Sequence, residues 1–167
     1  MIMNVKIDES LKEELGITSL NQIGIVIPDI KKAIDAYSSA FNLPAFRILL
    51  PKFNNKTYHG KSAEFSMKIA FSKWNLIDIE LIEPTEGRSI YVDFLERNPD
   101  GGLHHLGYEV DDLDKSIEAF DKIGCKVLQG GRVEGGGHAY LDTEKRFGCI
   151  LEVIHTPPGW PPEEDFI

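Results

Sequence analysis

The sequence predicts an α+β fold of two βαβββ modules whose sheets curve into a cleft, and two observations carry that expectation. First, the chain repeats itself. Leu20-Asn21-Gln22-Ile23-Gly24-Ile25-Val26-Ile27-Pro28-Asp29-Ile30 aligns without a gap on Leu103-His104-His105-Leu106-Gly107-Tyr108-Glu109-Val110-Asp111-Asp112-Leu113, and Lys32, Ile34, Ala36 and Tyr37 fall on Lys115, Ile117, Ala119 and Phe120. Second, each copy ends in a similar strand: Asp78-Ile79-Glu80-Leu81-Ile82 in one, Ile150-Leu151-Glu152-Val153-Ile154 in the other. The repeat pairs polar positions as well as apolar ones, Gln22 with His105 and Glu80 with Glu152.

Each element follows from local pattern. Residues 1–18 stand outside the repeat as an N-terminal extension. Within it, Ile7 to Gly16 reads as a short helix, acidic early and closed by glycine. The first module spans 19–84. The apolar run Ile23 to Ile27 is a strand. Pro28-Asp29 starts a helix from Ile30 to Phe41, with apolar residues at 3–4 spacing. Strands are expected near 45–50, 62–71 and 76–83, joined by turns at Pro51 to Asn55 and Ser72 to Asn75. Residues 85–100 form a connector with a helix from Ser89 to Arg97. The second module spans 101–156, with a strand at 103–110, a helix at 112–123 capped by Asp111-Asp112, and strands near 125–129, 137–142 and 148–155. The segment 157–167 is a Pro-rich, extended tail.

Bulk properties narrow the function. With 167 residues the chain holds one good core or two small joined halves. A formal net charge of −9 argues against nucleic-acid and anionic-membrane binding, which need clustered Lys and Arg. No apolar stretch is long enough to span a bilayer, and the N-terminus lacks the order of a signal peptide, so a cytoplasmic location is expected. Cys125 and Cys149 form neither a disulfide framework nor a CxxC knuckle.

The polar strand positions carry the chemistry. Strand side chains alternate between faces, so Gln22, Gly24 and Val26 share one face, as do His105, Gly107 and Glu109. His104 is expected on the face opposite His105, so the double histidine is not a two-ligand pair. Glu80 and Glu152 sit between apolar neighbours, where a carboxylate is costly unless paired or bound to a cation. Gln22, Glu80, His105 and Glu152 are therefore candidate metal ligands. One imidazole, two carboxylates and an amide oxygen suit Co, Mn, Ni, Zn or Mg.

At these residues the chain resembles the vicinal oxygen chelate (glyoxalase/bleomycin resistance) superfamily, most of all its methylmalonyl-CoA epimerase branch. The resemblance covers residues 19–156 and is carried by Ile79-Glu80-Leu81-Ile82-Glu83-Pro84, Phe94-Leu95-Glu96-Arg97-Asn98, the stretch from Gly102 to Asp112, and Gly148-Cys149-Ile150-Leu151-Glu152. It implies that four side chains, two per module, hold a divalent ion that stabilises the enolate of an acyl thioester while glutamates move the α-proton. His105, Glu80 and Glu152 fall on three of the ligand positions, and Glu152 also on a proton-transfer position, which makes it the catalytic candidate. Two departures stand out. Gln22 replaces the family's first His, which implies a weak or absent metal. The stretch Lys56-Thr57-Tyr58-His59-Gly60-Lys61 has no carboxylate where the epimerases carry a catalytic Glu.

Tyr58 and His59 are candidates for lining the substrate pocket, and Lys145 and Arg146 for contacting an anionic tail such as CoA phosphates. The glycine-rich stretch 130–137 lacks a phosphate-loop pattern and reads as a flexible hairpin connection or lid. His138 reads as a loop or strand-edge residue, and Trp74 and Trp160 as packing residues. The leading expectation is a metal-dependent, homodimeric isomerase or lyase acting on an acyl-CoA thioester. Two rivals keep the fold: a metal-free small-ligand binding protein, and glyoxalase-type or dioxygenase chemistry.

Overall fold

A computed structural model describes residues 6–167. Helix α1 (Glu9–Leu15) is capped by Asp8, whose carboxylate accepts from the Leu11 N–H at 3.0 Å, and ends at Gly16 in the left-handed conformation (φ 64°). Strand β1 (Ile17–Val26) leads into α2 (Ile30–Ala40), then β2 (Arg47–Leu49), the hairpin β3 (Asn54–Tyr58) and β4 (Lys61–Ser62), and the long pair β5 (Ser66–Trp74) and β6 (Ile77–Glu86). Helix α3 (Ile90–Arg97) connects to β7 (Gly102–Val110), α4 (Leu113–Lys122), β8 (Val127–Val133), β9 (Gly136–Leu141), α5 (Glu144–Phe147) and β10 (Ile150–His155); a 3-10 turn at Glu163–Asp165 closes the tail. The duplicated aspartates do the same work in both copies: Asp29 accepts from Lys32 N–H and Asp112 from Lys115 N–H, capping α2 and α4.

The strands form a single curled sheet in the order β2-β5-β6-β1-β7-β10-β9-β8-β3-β4. Its left half, β2-β5-β6-β1, and its right half, β7-β10-β9-β8, repeat one another about the antiparallel β1–β7 seam. Within each half the first and last strands run parallel, β1 with β6 and β7 with β10. The outer face is sealed by α2 over β5 and β6 and by α4 over β9 and β10. Apolar clusters fill the space beneath: Ile30, Ala70, Ile79 and Leu81 under α2, and Leu113, Ala119, Phe120 and Val153 under α4. Among the described residues no helix is long and apolar enough to cross a membrane.

Two segments depart from the repeat and from the sequence reading. Residues 54–58, expected to begin inside a turn, are strand β3. This polar Asn-Asn-Lys-Thr-Tyr segment leaves the first half and pairs with β8 of the second, with Thr57 opposite Gly130 and Tyr58 opposite Gln129. The glycine-rich stretch 130–137 is the β8–β9 hairpin connection that was expected, but it is mostly strand, turning only at Glu134-Gly135. Gly130 and Gly131 lie inside β8 and are buried, and Gly136 and Gly137 begin β9. A side chain at Gly131 would sit 2.8 Å from Phe53 Cβ, so the bare backbone is what lets Phe53 pack there.

The tail also crosses. After β10 it spans the mouth of the curled sheet and docks on β2, with Phe166 bridged to Leu49 and Leu50 N–H donating to the Asp165 carbonyl at 2.9 Å. Arg47 pairs with Glu163 at 2.7 Å and lies 3.7 Å over the Phe166 ring, and Lys52 pairs with Asp165.

Candidate metal centre and its cavity

The site is built from two cross-strand rows related by the repeat. In one, Glu80 of β6 lies beside Gly24 of β1, and Gly24 beside His105 of β7. In the other, Glu152 of β10 lies beside Gly107 of β7, and Gly107 beside Gln22 of β1. Each row reads carboxylate, glycine, His or Gln. The glycines make room. A Cβ at Gly24 would lie 1.8 Å from His105 Cε1, and one at Gly107 would lie 2.7 Å from Gln22 Oε1. The repeat aligns these glycines with one another, and the structure gives them a purpose: each leaves the space into which the opposite copy's polar side chain folds.

Glu80, His105 and Glu152 each offer a ligand atom, all within 4.8 Å of one another. His105 Nε2 stands 3.3 Å from Glu80 Oε2 and 3.1 Å from Glu152 Oε2; His105 is 0% exposed, and Glu80 and Glu152 are each 4% exposed. These are ion-pair distances without hydrogen-bond alignment. Glu80 Oε2, His105 Nε2, Glu152 Oε2 and Gln22 Oε1 are all buried and without a hydrogen-bond partner. Buried donor atoms of metal-ligand type left without hydrogen bonds are costly as they stand. A divalent cation between Glu80, His105 and Glu152 would satisfy those three, and Gln22 offers a further oxygen in the row that holds Glu152. The ion's charge cancels the two carboxylates, with imidazole and amide as neutral ligands. The donor set therefore fits a hard or borderline divalent ion.

The electrostatics agree. Burial alone would lower the His105 imidazole, but the Glu152 and Glu80 carboxylates outweigh it and lift it to about 9. Burial raises the Glu80 carboxyl, and Glu152 adds to the rise. Burial also pushes on Glu152, but the charge of His105 beside it brings it below the ordinary value. In the metal-free protein a proton on His105 thus occupies the place of a cation.

His104 corrects the simple alternation. It does not sit on the face away from His105. A β-bulge against β1, where Gly24 faces His105 and Ile25 faces Leu103, turns His104 inward. Its Nδ1 is 3.0 Å from His105 Nδ1, and its ring packs on Tyr91, Phe94 and Tyr140. Burial, and then the charge of His105, hold His104 well below the usual histidine range. With His104 neutral, its Nδ1 can accept a hydrogen bond donated by His105 Nδ1–H, which leaves His105 Nε2 turned to the carboxylates, the kind of orienting contact a ligating histidine uses.

The centre lies at the floor of a cavity of about 40 Å³ whose walls include Gln22, Glu80, Glu152, Tyr91, Tyr140 and His138. Ile69, Phe71, Ile154 and Val133 make it apolar, and Phe53, Pro157 and Trp160 roof it. The Phe53 and Trp160 rings stack at 5.7 Å, so the tail tryptophan is part of this roof. The volume suits an ion and a few waters.

The remaining candidates lie elsewhere. Tyr58 donates to Asp93 Oδ2 at 2.7 Å, His59 sits 3.8 Å from the same oxygen, and both line a separate surface hollow with Arg88 and Glu96. Lys145 and Arg146 are on α5 and do not line the cavity; Lys145 is exposed, and the Arg146 guanidinium lies 5.9 Å over Phe147. Conversely, His138 belongs to the cavity wall. It lies inside β9, 7% exposed, opposite Ile154 of β10. Period-2 alternation from Tyr140, which faces Glu152, was the available signal.

Comparisons with known proteins agree with this architecture. The chain is 28% identical over 138 residues to an ethylmalonyl-CoA/methylmalonyl-CoA epimerase of Cereibacter sphaeroides, covering 80% of this chain and 95% of that one. It is 30% identical over 115 residues to the mitochondrial methylmalonyl-CoA epimerase of Dictyostelium discoideum, covering 69% and 63%. Among solved structures, a variant of Streptomyces coelicolor methylmalonyl-CoA epimerase in complex with 2-nitronate-propionyl-CoA superposes with a TM-score of 0.62 at 19% identity, over 85% of this chain and 96% of that one. The methylmalonyl-CoA epimerase of Mycobacterium tuberculosis gives 0.60 at 17%, over 86% and 91%. A family model matches residues 21–141, and with it the duplicated, curled sheet is placed: the chain belongs to the glyoxalase/bleomycin resistance protein/dioxygenase superfamily.

Proposed function

We propose that the protein is a divalent-metal-dependent isomerase that forms the enolate of an acyl-CoA thioester, with methylmalonyl-CoA as the substrate to test first. The observation that carries this reading is the convergence of the Glu80, His105 and Glu152 ligand atoms within 4.8 Å of one another, all buried, with the unpartnered Gln22 Oε1 in the row that holds Glu152. The named epimerase relatives support the choice of substrate. A bound divalent ion would polarise the thioester carbonyl and favour enolate formation. The protein's own contribution is to hold Glu152 as a carboxylate at the cavity floor, ready to accept the α-proton. His104 fixes the orientation of His105, and the apolar walls exclude water from the reacting carbon. The working species in this reading is a homodimer, a view supported by the exposed apolar side chains of Leu20 and Leu103 on the adjacent strands β1 and β7.

The test begins with metal content after purification and titration of Mn, Co and Ni by calorimetry into the wild type and His105→Ala. Binding to the wild type, abolished in the variant, is expected. Incubation with methylmalonyl-CoA in deuterated water should then exchange the α-proton. A protein that binds no metal at micromolar concentration is instead a metal-free binding protein. One that binds metal but exchanges nothing keeps the family and loses the substrate.

A further inference from the structure

The cavity over the centre is closed, and its roof is unlike its other walls. Its volume of about 40 Å³ is far below the roughly 300–1,000 Å³ of pockets that take small organic ligands. A ligand of that kind needs a wall to move. Most of the lining side chains stand on strands hydrogen-bonded into the single sheet, and Tyr91 stands on α3. Phe53 lies outside the strands, but it is wedged against the Gly131 backbone, with its ring centre 4.4 Å from that of His138. The rest of the roof is tail.

The tail is held at two points and loose between them. At its start the Thr156 N–H and hydroxyl donate to the Glu109 carboxylate at 2.9 and 3.2 Å. At its end Leu50 N–H donates to the Asp165 carbonyl at 2.9 Å and Ile167 N–H to the Ile48 carbonyl at 3.0 Å, on either side of the Leu49–Phe166 bridge. Between these ties the chain reads Pro157-Pro158-Gly159-Trp160-Pro161-Pro162. Proline has no N–H to donate, so Gly159 and Trp160 carry the only two. The Trp160 N–H is used within the segment, donating to the Pro157 carbonyl at 3.2 Å. Among the described residues no backbone hydrogen bond joins 157–162 to the rest of the protein. What holds the segment over the cavity is side-chain packing: Pro157 against Gly136, and the Trp160 ring stacked on Phe53 at 5.7 Å. A segment with few buried contacts and no ladder bonds opens at low free-energy cost.

We propose that residues 157–162 are a strap that lifts between two fixed ends, with Trp160 as its latch on Phe53, and that ligand reaches the metal centre by this route. The prolines suit the task, because a proline-rich segment swings as a semi-rigid piece, and the ties at both ends return it to the roof. That the ligand admitted is the acyl end of a CoA thioester rests on the function proposed above; the strap itself does not.

Two measurements on the full-length protein test this. The first uses the metal-free protein and no substrate. NMR relaxation dispersion should show exchange on the μs–ms timescale of lids at the Gly159 amide and the Trp160 indole N–H, with the Leu50 and Ile167 amides quiet. Flat profiles at Gly159 and Trp160 overturn the strap, and equal exchange at Leu50 and Ile167 overturns its fixed anchor. The second times the loss of bound Co to excess EDTA. Trp160→Ala should release the ion faster by about 2–12-fold, the strength of one aromatic stack. Its equilibrium affinity in calorimetry should be unchanged, because a gate speeds entry and exit alike, and Trp160→Phe should restore slow release. A Trp160→Ala rate equal to wild type overturns the latch, and so does faster release matched by an equal loss of affinity, which marks damage to the centre. Methylmalonyl-CoA added to the Zn-loaded wild type should shift the Trp160 indole signal. Strap exchange in a wild type whose Trp160 signal does not respond to methylmalonyl-CoA keeps the strap and overturns the substrate. Where no metal binds, the parent reading falls and the first measurement still decides the strap.

Discussion

The glycine that separates Glu80 from His105 offers the sharpest test of the centre. In Gly24→Ala the new methyl would lie 1.8 Å from His105 Cε1 and 2.2 Å from Nε2. Non-bonded carbons need about 3.5–4.0 Å, so the imidazole must retreat by roughly 1.7–2.2 Å. Metal–nitrogen bonds tolerate only about ±0.2 Å around their ideal length, and the displaced nitrogen leaves the coordination sphere. Losing a supporting contact to a ligand typically costs about 10–100-fold in metal affinity, so losing the ligand itself should cost at least about 100-fold. Overpacking a tight site costs about 1–3 kcal/mol, which for a chain of this size lowers the melting temperature by roughly 2–12 °C. Gly24 does not have positive φ, so the methyl acts through the ring and not through backbone strain. Calorimetric titration of Mn or Co and thermal melts of the metal-free protein measure both effects. The double variant Gly24→Ala with His105→Ala isolates the cause, because without the ring the alanine should add little further loss of stability. Wild-type metal affinity in Gly24→Ala would refute the geometry of the centre.

Three further outcomes are expected. Gln22→His should tighten metal binding in calorimetry, since imidazole is a better ligand than an amide for borderline ions; an unchanged affinity would remove Gln22 from the ligand set. The metal-free protein should lose stability in melts as pH rises from about 6.5 through about 9. The sign follows from His105, whose folded value of about 9 lies above the ordinary 6.5, so its contribution is full below 6.5 and lost above. Metal affinity should rise over the same window as the competing proton leaves, and a flat profile in either measurement would contradict the buried carboxylate–imidazole cluster. Gln129→Met should destabilise the fold by about 1–3 kcal/mol, because the fully buried amide oxygen accepts the Ile90 N–H at 3.0 Å and ties α3 to β8. Denaturant unfolding with an unchanged midpoint would show that this bond contributes nothing.

Much of the architecture was readable because the repeat keeps geometry along with hydrophobicity. Gln22 with His105, Gly24 with Gly107 and Glu80 with Glu152 are the corners of two symmetric rows, and strand alternation alone puts their side chains on one face. What stayed hidden depends on contacts between distant segments. Strand β3 is a run of polar residues with no alternation, made a strand only by β8 lying beside it. His104 turns inward because of a bulge against β1, which period-2 counting does not anticipate. Trp160 sits in a Pro-rich tail whose course over the cavity is decided by docking on β2, far away in sequence.

The hairpin and the tail together bear on how this chain folds. One stitches the first half onto β8 of the second, and the other carries the chain from β10 back to β2. The ion pairs that anchor the tail, Arg47 with Glu163 and Lys52 with Asp165, join residues 116 and 113 positions apart. Such closures raise the contact order and demand loop entropy before any contact rewards it. A duplicated protein would otherwise permit its halves to open one at a time. Cross-threaded in both directions, this one is built to unfold as a single cooperative unit, so the two rows that frame the centre are made and lost together.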